Sequence, residues 1–388
     1  MTAPLRLVSW GHRRATDPLR AAVESFRSKK PDVEIAIDNR SLRDFEHEGM
    51  AGVAERYDLV IFDHPFCGDI ARGRLFLPLE ERLPELLGDA SDSLYLGPSL
   101  DTYRFGGHVW GAPIDAATQN AVLRSDLLEA MGEEAPLTWA DALKLGQRAR
   151  RRGFYLGSAI ETPHALLAIG ALMANAGKPW ATNPAKAFTI DEEAFAAAYG
   201  EVKALLAFCP PEALAWNSID LHDAMVARDD VVYCPAVYGY ATYGEADQRR
   251  RLAFGPFAGA SAPYQRGSAI GGTAIGVSAR SRAPDAAVAF VAHMLDDGVQ
   301  RTLVPAHHGQ PAMVSGWRDA ANDAKFNGFY SSVARSVETA WVRPRRACYP
   351  VFQAAAGRIV ADGLRSDRDG RAVAKAVCAL AARCGEET

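Results

Sequence analysis

The sequence contains no run of about 18 uninterrupted apolar residues, the length that a membrane-spanning helix needs. It also lacks an excess of either charge, because 43 basic and 47 acidic residues give a formal net charge of −4. The balance offers no electrostatic argument for binding nucleic acid or an anionic bilayer. With 388 residues, 48% of them hydrophobic, the chain is long enough for two or three domains with substantial cores.

Cysteine is sparse, and the six residues are dispersed: Cys67, Cys209, Cys234, Cys348, Cys378 and Cys384. No two of them have the C-x2-C spacing of a zinc or redox site. Scattered thiols are mostly small buried side chains, and they weakly favour a reducing compartment. Glu46-His47-Glu48 and His307-His308 lack metal-ligand spacing. We therefore expect no metal and no other cofactor.

Strand and helix patterns alternate through the first sixty residues. Residues 5–10 and the alternating residues 33–37 predict two strands, and the apolar run at 59–62 is typical of a parallel strand buried on both faces. Asp17, followed by a proline, predicts the start of one helix, and residues 42–54 predict another. This order predicts a doubly wound α/β lobe.

Two loops follow the carboxyl ends of these strands, where such sheets bind ligands. Trp10 offers an aromatic ring that either stacks on a sugar or packs at the lobe surface. The basic run after it is either a solvated loop or a site for a carboxylate or phosphate, which arginine binds bidentately. The candidate contacts on the two loops are Trp10, His12, Arg13, Asp63 and His64, and Arg14 is the alternative to Arg13 for an anion.

The middle of the chain carries sequence signals in a fixed order. Gly107-His108-Val109-Trp110-Gly111-Ala112-Pro113 ends in a proline that cannot donate to a sheet ladder, which favours an extended connector over residues 109–114. Residues 120–124 predict a new strand, and residues 125–132 predict a helix capped by serine and closed by glycine. In Pro136-Leu137-Thr138-Trp139-Ala140-Asp141, the threonine and aspartate predict another capped helix.

Two later segments extend this ordered series of sequence signals: Ala269-Ile270-Gly271-Gly272-Thr273 and Asp285-Ala286-Ala287-Val288-Ala289-Phe290. From near Leu5 to near Leu364, the chain resembles the family 1 extracellular solute-binding proteins, the sugar-binding components of ABC transporters. The resemblance implies an α/β, two-lobed periplasmic-binding-protein fold of type II. It also implies three hinge crossings and a ligand cleft between the lobes.

The resemblance implies that each lobe is discontinuous. We predict that lobe 1 comprises residues 1–114 and 262–310, and that lobe 2 comprises residues 115–261 and 311–388. The three segments that cross between the lobes, near residues 112–116, 259–263 and 308–311, are expected to lie side by side.

The resemblance also implies ligand contacts beyond the first two loops. Tyr238 and Tyr240 hold the place of an aromatic loop that usually faces the ligand in the family. The pair Gly271-Gly272 is too short for a phosphate-binding loop, but it allows the backbone to approach a ligand closely. The further predicted contacts are Asp115, Gln119, Tyr238, Tyr240, Gly272, Thr273 and Gln310.

These features predict the substrate-binding protein of an ABC transporter. It would capture a small polar solute, a sugar or a sugar acid, by hinge closure. We expect a monomer that binds no nucleic acid and docks on permease and ATPase subunits if it is exported.

Two other functions stay open at this point. The resemblance implies a periplasmic location, but no signal peptide is visible, which leaves a cytoplasmic ligand sensor as an alternative. The other alternative is a cleft enzyme that uses Cys67 as nucleophile, with His64 three residues earlier. The binding protein is the main prediction, and no catalytic residue is assigned.

Overall fold

The computed structural model describes residues 4–181, 183–259 and 267–386, with the side chains of residues 385 and 386 left aside. The strands in these ranges are β1 (Leu5–Trp10), β2 (Ile35–Arg40), β3 (Leu59–Phe62), β4 (Arg104–Phe105), β5 (His108–Val109), β6 (Ala112–Leu123), β7 (Tyr155–Leu156), β8 (Val231–Tyr238), β9 (Ala253–Gly255) and β10 (Ile270–Val277).

The α-helices in the same ranges are α1 (Arg13–Lys29), α2 (Leu42–His47), α3 (Met50–Arg56), α4 (Cys67–Gly73), α5 (Pro84–Leu87), α6 (Ser125–Met131), α7 (Trp139–Arg151), α8 (His164–Asn175), α9 (Glu192–Leu206), α10 (Ser218–Ala227), α11 (Pro284–Met294), α12 (Val304–Ala306), α13 (Val314–Trp317), α14 (Ala320–Lys325), α15 (Phe329–Glu338), α16 (Tyr349–Arg365) and α17 (Gly370–Glu386). A π-helical turn at Val299–Leu303 precedes α12.

The chain divides into two compact units. Unit 1 comprises Met1–Ala116, Gly271–Asn322 and Arg345–Pro350, and unit 2 comprises Ala117–Ile270, Asp323–Pro344 and Val351–Thr388. The division of lobes predicted from the sequence stays a prediction. Residues 260–263 of the predicted second crossing lie outside the described residues.

In unit 1 the strands follow the order β2-β1-β3-β10. Strand β1 is parallel to both β2 and β3, and β10 is antiparallel to β3. Helix α1 connects β1 to β2, and α2 and α3 connect β2 to β3, so the predicted strand–helix alternation is confirmed. All four residues of β3 are buried, as a parallel strand covered on both faces requires.

Helix α1 begins earlier than predicted. It starts at Arg13, and His12 is its N-cap, with Nδ1 accepting from the backbone N–H of Arg14 at 3.1 Å. Pro18 is therefore the sixth helical residue and offers no N–H to the carbonyl four residues before it. The prediction placed Pro18 at the first helical position, where proline is favoured. It overlooked His12 as the N-cap because histidine is not among the preferred N-cap residues.

Strand β6 is continuous where the sequence suggested a connector followed by a separate strand. Its twelve residues run from Ala112 to Leu123, so the predicted break is wrong. Pro113 is the second residue of the strand, close to the end at which a missing N–H costs the ladder least. Strand β6 begins in unit 1 and ends in unit 2.

Helix caps near the middle of the chain agree with the sequence in two of three cases. Gly132 ends α6 in the left-handed conformation at φ 66°, and the Thr138 side chain accepts from the backbone N–H of Asp141 at 3.2 Å. The predicted cap at Ser125 is wrong, because Arg124 is the N-cap residue and Ser125 is already helical.

In unit 2, β8 lies between β6 and β7, and β9 pairs with the far end of β6. Strand β8 is parallel to β7 and antiparallel to β6. All twelve residues of α8 are buried, which matches its almost uninterrupted apolar sequence. This helix therefore belongs to the hydrophobic core of the unit along its whole length.

The cysteines differ in their bonding state, which the sequence analysis left open. Cys348 and Cys384 are disulfide-bonded, whereas Cys67, Cys209, Cys234 and Cys378 are free. Sequence spacing alone does not decide whether such scattered cysteines pair. Across the described residues, no helix is both long and apolar enough to cross a bilayer.

The buried His293 predicts a pH-dependent contribution to stability. Its side chain lies 5.5 Å from the ring of Phe26, and burial, followed by the charge of Lys29, lowers the pKa of His293. The unfolded chain, with a histidine pKa of about 6.5, therefore takes up the proton first. The free energy of unfolding should consequently fall as the pH drops below about 6.5.

Urea denaturation at about pH 7 and about pH 5 measures this effect. We expect His293→Gln to lose less stability between the two pH values than the wild type does. His307→Gln, at an exposed histidine, is the matched control and should behave like the wild type. Equal pH dependence in the wild type and His293→Gln would contradict the assignment.

Candidate functional site

The carboxyl ends of β1 and β3 lie at the same edge of the unit 1 sheet because the two strands are parallel. Trp10 ends β1, is 4% exposed, and its ring lies 5.0 Å from that of Phe45. Asp63 follows β3 and accepts from the backbone N–H of His64 at 2.8 Å, and its Oδ1 lies 2.9 Å from Nδ1 of the same residue. His64 is fully buried, so Asp63 holds the turn together.

The basic run at residues 12–14 is the start of a helix, and its side chains are engaged within unit 1. Nη2 of Arg13 lies 2.8 Å from Nδ1 of His308. Nε of Arg14 donates to Oδ2 of Asp115 at 2.8 Å, and its Nη2 donates to Oδ1 of the same carboxylate. The prediction of a charged loop is therefore replaced by a helix whose first turn is pinned to β6.

The Arg14–Asp115 ion pair is almost entirely removed from solvent, with side-chain exposures of 4% and 8%. Its bidentate geometry uses both carboxylate oxygens, which is the strongest arrangement of this pair. Asp115 was predicted as a ligand contact, and its charge is already balanced inside the protein.

The pair escaped the sequence analysis because α1 was started too late. From Arg13 onward, Arg14, Pro18, Ala22 and Phe26 recur every four residues, and all four are buried. A helix drawn from Arg13 would have placed Arg14 on the buried stripe.

Strand β10 presents the glycine pair next to β3. Gly272 has φ 98°, a conformation that residues with a side chain rarely adopt, and its carbonyl accepts from the hydroxyl of Tyr103 at 3.3 Å. Thr273 is 4% exposed. The ring of Tyr103 also contacts His64, with centroids 6.2 Å apart, and nothing in its sequence context indicated this role.

A cavity of about 20 Å³ lies within unit 1, a volume close to that of one water-sized site. It brings together four of the predicted contacts: Trp10, Asp115, Thr273 and Gln310. Gln310 is held there because its Nε2 donates to the carbonyl of Ala116 at 3.1 Å. The other predicted contacts of unit 1 do not line this cavity: His12, Arg13, Asp63, His64 and Gly272.

Unit 2 contains the remaining predicted contacts. Gln119 in β6 lies opposite Tyr238 in β8, whose hydroxyl donates to the carbonyl of Ile270 at 3.5 Å. The ring of Tyr238 lies 6.4 Å from His164, and Nδ1 of that histidine is 3.1 Å from Oγ of Ser218. His164 and Ser218 were not predicted, because each also fits the apolar or capping pattern of its helix.

Tyr240 is buried in an aromatic group of unit 2. It is 5% exposed, and its ring lies 5.6 Å from His222. His222 stacks on Tyr243 at 4.8 Å, and the hydroxyl of Tyr243 donates to Asp223 at 2.7 Å. The ligand contacts predicted at Tyr238 and Tyr240 stay predictions.

Three side chains of unit 1 have metal-binding chemistry despite the prediction of no metal. Ligand atoms of Glu80, Glu81 and His108 lie within 4.8 Å of one another. Oε1 of Glu80 is 2.7 Å from Nδ1 of His108, and Oε2 accepts from the backbone N–H of Val109 at 2.8 Å. Through these two contacts with β5, Glu80 stabilises the β4–β5 hairpin, which gives the cluster a structural role.

Cys67 lacks the properties of a nucleophile. The side chain is fully buried, and this burial raises the pKa of the thiol well above its usual range, although the charge of Arg345 acts in the opposite direction. Its Sγ lies 3.8 Å from the carbonyl of Thr102. Since the thiolate is the reactive form, this position favours a structural role.

The family model for bacterial extracellular solute-binding proteins matches residues 13–301. The chain belongs to this family. The family is one of binding proteins, which favours the predicted solute-binding protein over the cleft enzyme. Comparison with curated protein sequences gives no significant match.

Solved structures of binding proteins share the fold of this solute-binding protein over nearly its whole length. Maltose-bound MalE3 of T. maritima is 15% identical, with a TM-score of 0.84 and coverage of 98% of this chain and 100% of that one. The GacH receptor of Streptomyces glaucescens, solved unliganded and with acarbose, is 19% identical at a TM-score of 0.83, with coverage of 100% and 99%. The predicted α/β, two-lobed periplasmic-binding-protein fold is confirmed.

A third structure extends the range of ligands among the similar folds. It is an ABC transporter solute-binding protein from Agrobacterium radiobacter K84 in complex with ribitol. It is 17% identical, has a TM-score of 0.78, and the match covers 98% of each chain.

The buried ion pair leads to a prediction about stability. Arg14→Ala should lower the free energy of unfolding by about 3–5 kcal/mol, because it leaves the Asp115 carboxylate buried without its counter-charge. Arg20→Ala is the control, since this 63% exposed arginine lies 3.8 Å from Asp17. Such an exposed pair contributes about 0–1 kcal/mol.

Urea denaturation provides the measurement, and a double variant tests the cause. Arg14→Met combined with Asp115→Leu removes both charges and should recover much of the lost stability. If Arg14→Ala and Arg20→Ala cost the same, the ion pair does not have the structural weight assigned to it.

The position of Cys67 leads to a prediction about reactivity. In the native protein, iodoacetamide should label the half-buried Cys378 faster than the fully buried Cys67, because burial suppresses the reactive thiolate. Mass spectrometry of digested samples measures both rates, and labelling in urea shows that each site can react. Cys67→Ala should also leave solute affinity unchanged. Rapid labelling of Cys67 in the native protein would contradict this assignment and favour the alternative of a cysteine-dependent enzyme.

Proposed function

We propose that this solute-binding protein is the substrate-binding component of an ABC transporter and captures a small hydroxylated solute by hinge closure. The observation that carries the proposal is the family match over residues 13–301. Three of the similar structures were solved with maltose, acarbose and ribitol, which carry many hydroxyl groups, and another was solved with glycerophosphocholine, which carries hydroxyl groups and a phosphate.

The charges in unit 1 support an uncharged solute over a sugar acid. The sequence suggested that Arg13 or Arg14 could bind an anion. Arg14 is neutralised by Asp115, and Arg13 lies against His308. An anionic group would have to compete with the buried carboxylate for Arg14, whereas a hydroxyl group only needs single donors and acceptors.

The contact residues and the lobes belong to the same proposal. Trp10, Asp115, Thr273 and Gln310 would contribute from unit 1, and Gln119, Tyr238 and Tyr240 from unit 2. The lobe division predicted from the sequence would set the rigid parts that move on closure.

The family also suggests the partners and the location. The solute-loaded protein would act as a monomer outside the cytoplasm and dock on permease and ATPase subunits. A cytoplasmic ligand sensor is the second candidate. Solute-dependent stimulation of a reconstituted transporter would favour the first function over the second.

A thermal-shift screen with maltose, ribitol and D-tagatose tests the solute class. A solute present at 100 times its Kd should stabilise the protein by about 2.7 kcal/mol. Glucose 6-phosphate and gluconate are the charged counterparts. We expect the neutral compounds to give the larger shifts, and stabilisation by the anions alone would contradict the proposed solute.

Small-angle scattering tests the hinge. With a solute that the screen identifies, the radius of gyration should decrease, because closure around a ligand compacts this fold. An unchanged radius, with binding confirmed by calorimetry, would argue for a rigid pocket.

A further inference from the structure

Among the residues that line the cavity of unit 1, two buried side-chain atoms have no hydrogen-bonding partner in the part of the chain that the structure describes. They are Nε1 of Trp10 and Oγ1 of Thr273. Each residue is 4% exposed, and both line the same cavity. Buried polar groups are nearly always hydrogen-bonded, so two such atoms at one cavity point to a missing partner.

The size of the cavity limits what that partner can be. Its volume is about 20 Å³, and a single water needs about 10–15 Å³ on this measure. A sugar ring does not fit. One oxygen atom fits, either as a water or as a hydroxyl group at the end of a larger molecule.

The polar side chains that line the cavity also favour a single oxygen atom as its occupant. The indole N–H can only donate, whereas the threonine hydroxyl can donate or accept. The charges of Arg14 and Asp115 are directed at each other, and the Nε2 of Gln310 is bound to Ala116. An oxygen that both accepts and donates would satisfy the indole and the hydroxyl together.

We propose that this cavity is a single-oxygen site, which holds a water in the solute-free protein and a hydroxyl group of the bound solute in its place. Trp10 then recognises the solute through its Nε1 donor, and its ring, which packs on Phe45, is not the stacking face. The second half of this statement rests on the proposed function, whereas the water site does not.

The first experiment needs no solute. A high-resolution crystal structure of the solute-free protein should show an ordered oxygen within hydrogen-bond distance of Trp10 Nε1 and Thr273 Oγ1. Thr273→Val should lower the melting temperature, and Thr273→Ser, which keeps the hydroxyl, should lower it less. An absent oxygen, together with an unchanged or raised melting temperature of Thr273→Val, would overturn the water site.

The second experiment uses ribitol and maltose as probes in calorimetry. Trp10→Phe keeps an aromatic ring but removes the donor, and we expect its Kd to rise about tenfold or more. Trp10→Phe with wild-type affinity would overturn hydroxyl recognition, and a loss confined to Trp10→Ala would assign the role to the ring.

The two experiments separate this inference from the proposed function. If neither probe binds the wild-type protein, the proposed solute class is wrong, and the crystal structure still decides the water site. Circular dichroism of each variant verifies that a change in Kd does not come from unfolding.

Discussion

The ion pair between Arg14 and Asp115 is the constraint on which unit 1 depends. It ties the first turn of α1 to the start of β6, and the two residues are 101 positions apart in sequence. Both side chains are buried, so neither charge can be left without the other. Because β6 starts in unit 1 and ends in unit 2, the pair fixes the helix to the strand through which the chain leaves the unit.

The same pair explains how the polar groups around it are distributed. Charges that would otherwise face the cavity neutralise each other, which leaves an amide, a hydroxyl and an indole as its neutral polar lining. These neutral groups form hydrogen bonds without the desolvation cost of an ion. Unit 1 therefore offers the chemistry of hydroxyl recognition, although three consecutive basic residues directly follow its first strand and glycine.

Much of the fold was predictable because it depends on local periodicity. The alternation of β1, α1, β2, α2, α3 and β3 follows from apolar spacing, and the caps at Gly132 and Thr138 follow from backbone chemistry. The errors lie at residues that depart from a local statistical rule. His12 caps α1 although histidine is not a preferred N-cap residue. Pro113 is tolerated in β6 because it is the second residue of the strand.

The candidate site was less predictable, because its geometry depends on burial. Residue type and loop position selected Trp10, Asp115, Thr273 and Gln310, and these four do line one cavity. Sequence could not show that Asp115 is neutralised by Arg14, or that the ring of Trp10 is covered by Phe45. Because of those two contacts, the cavity can bind a ligand through single hydrogen bonds but not through ring stacking or a free charge. A site of that kind selects a ligand by the position of its hydroxyl groups, since each hydrogen bond is directional and a misplaced hydroxyl would leave a buried donor unmatched.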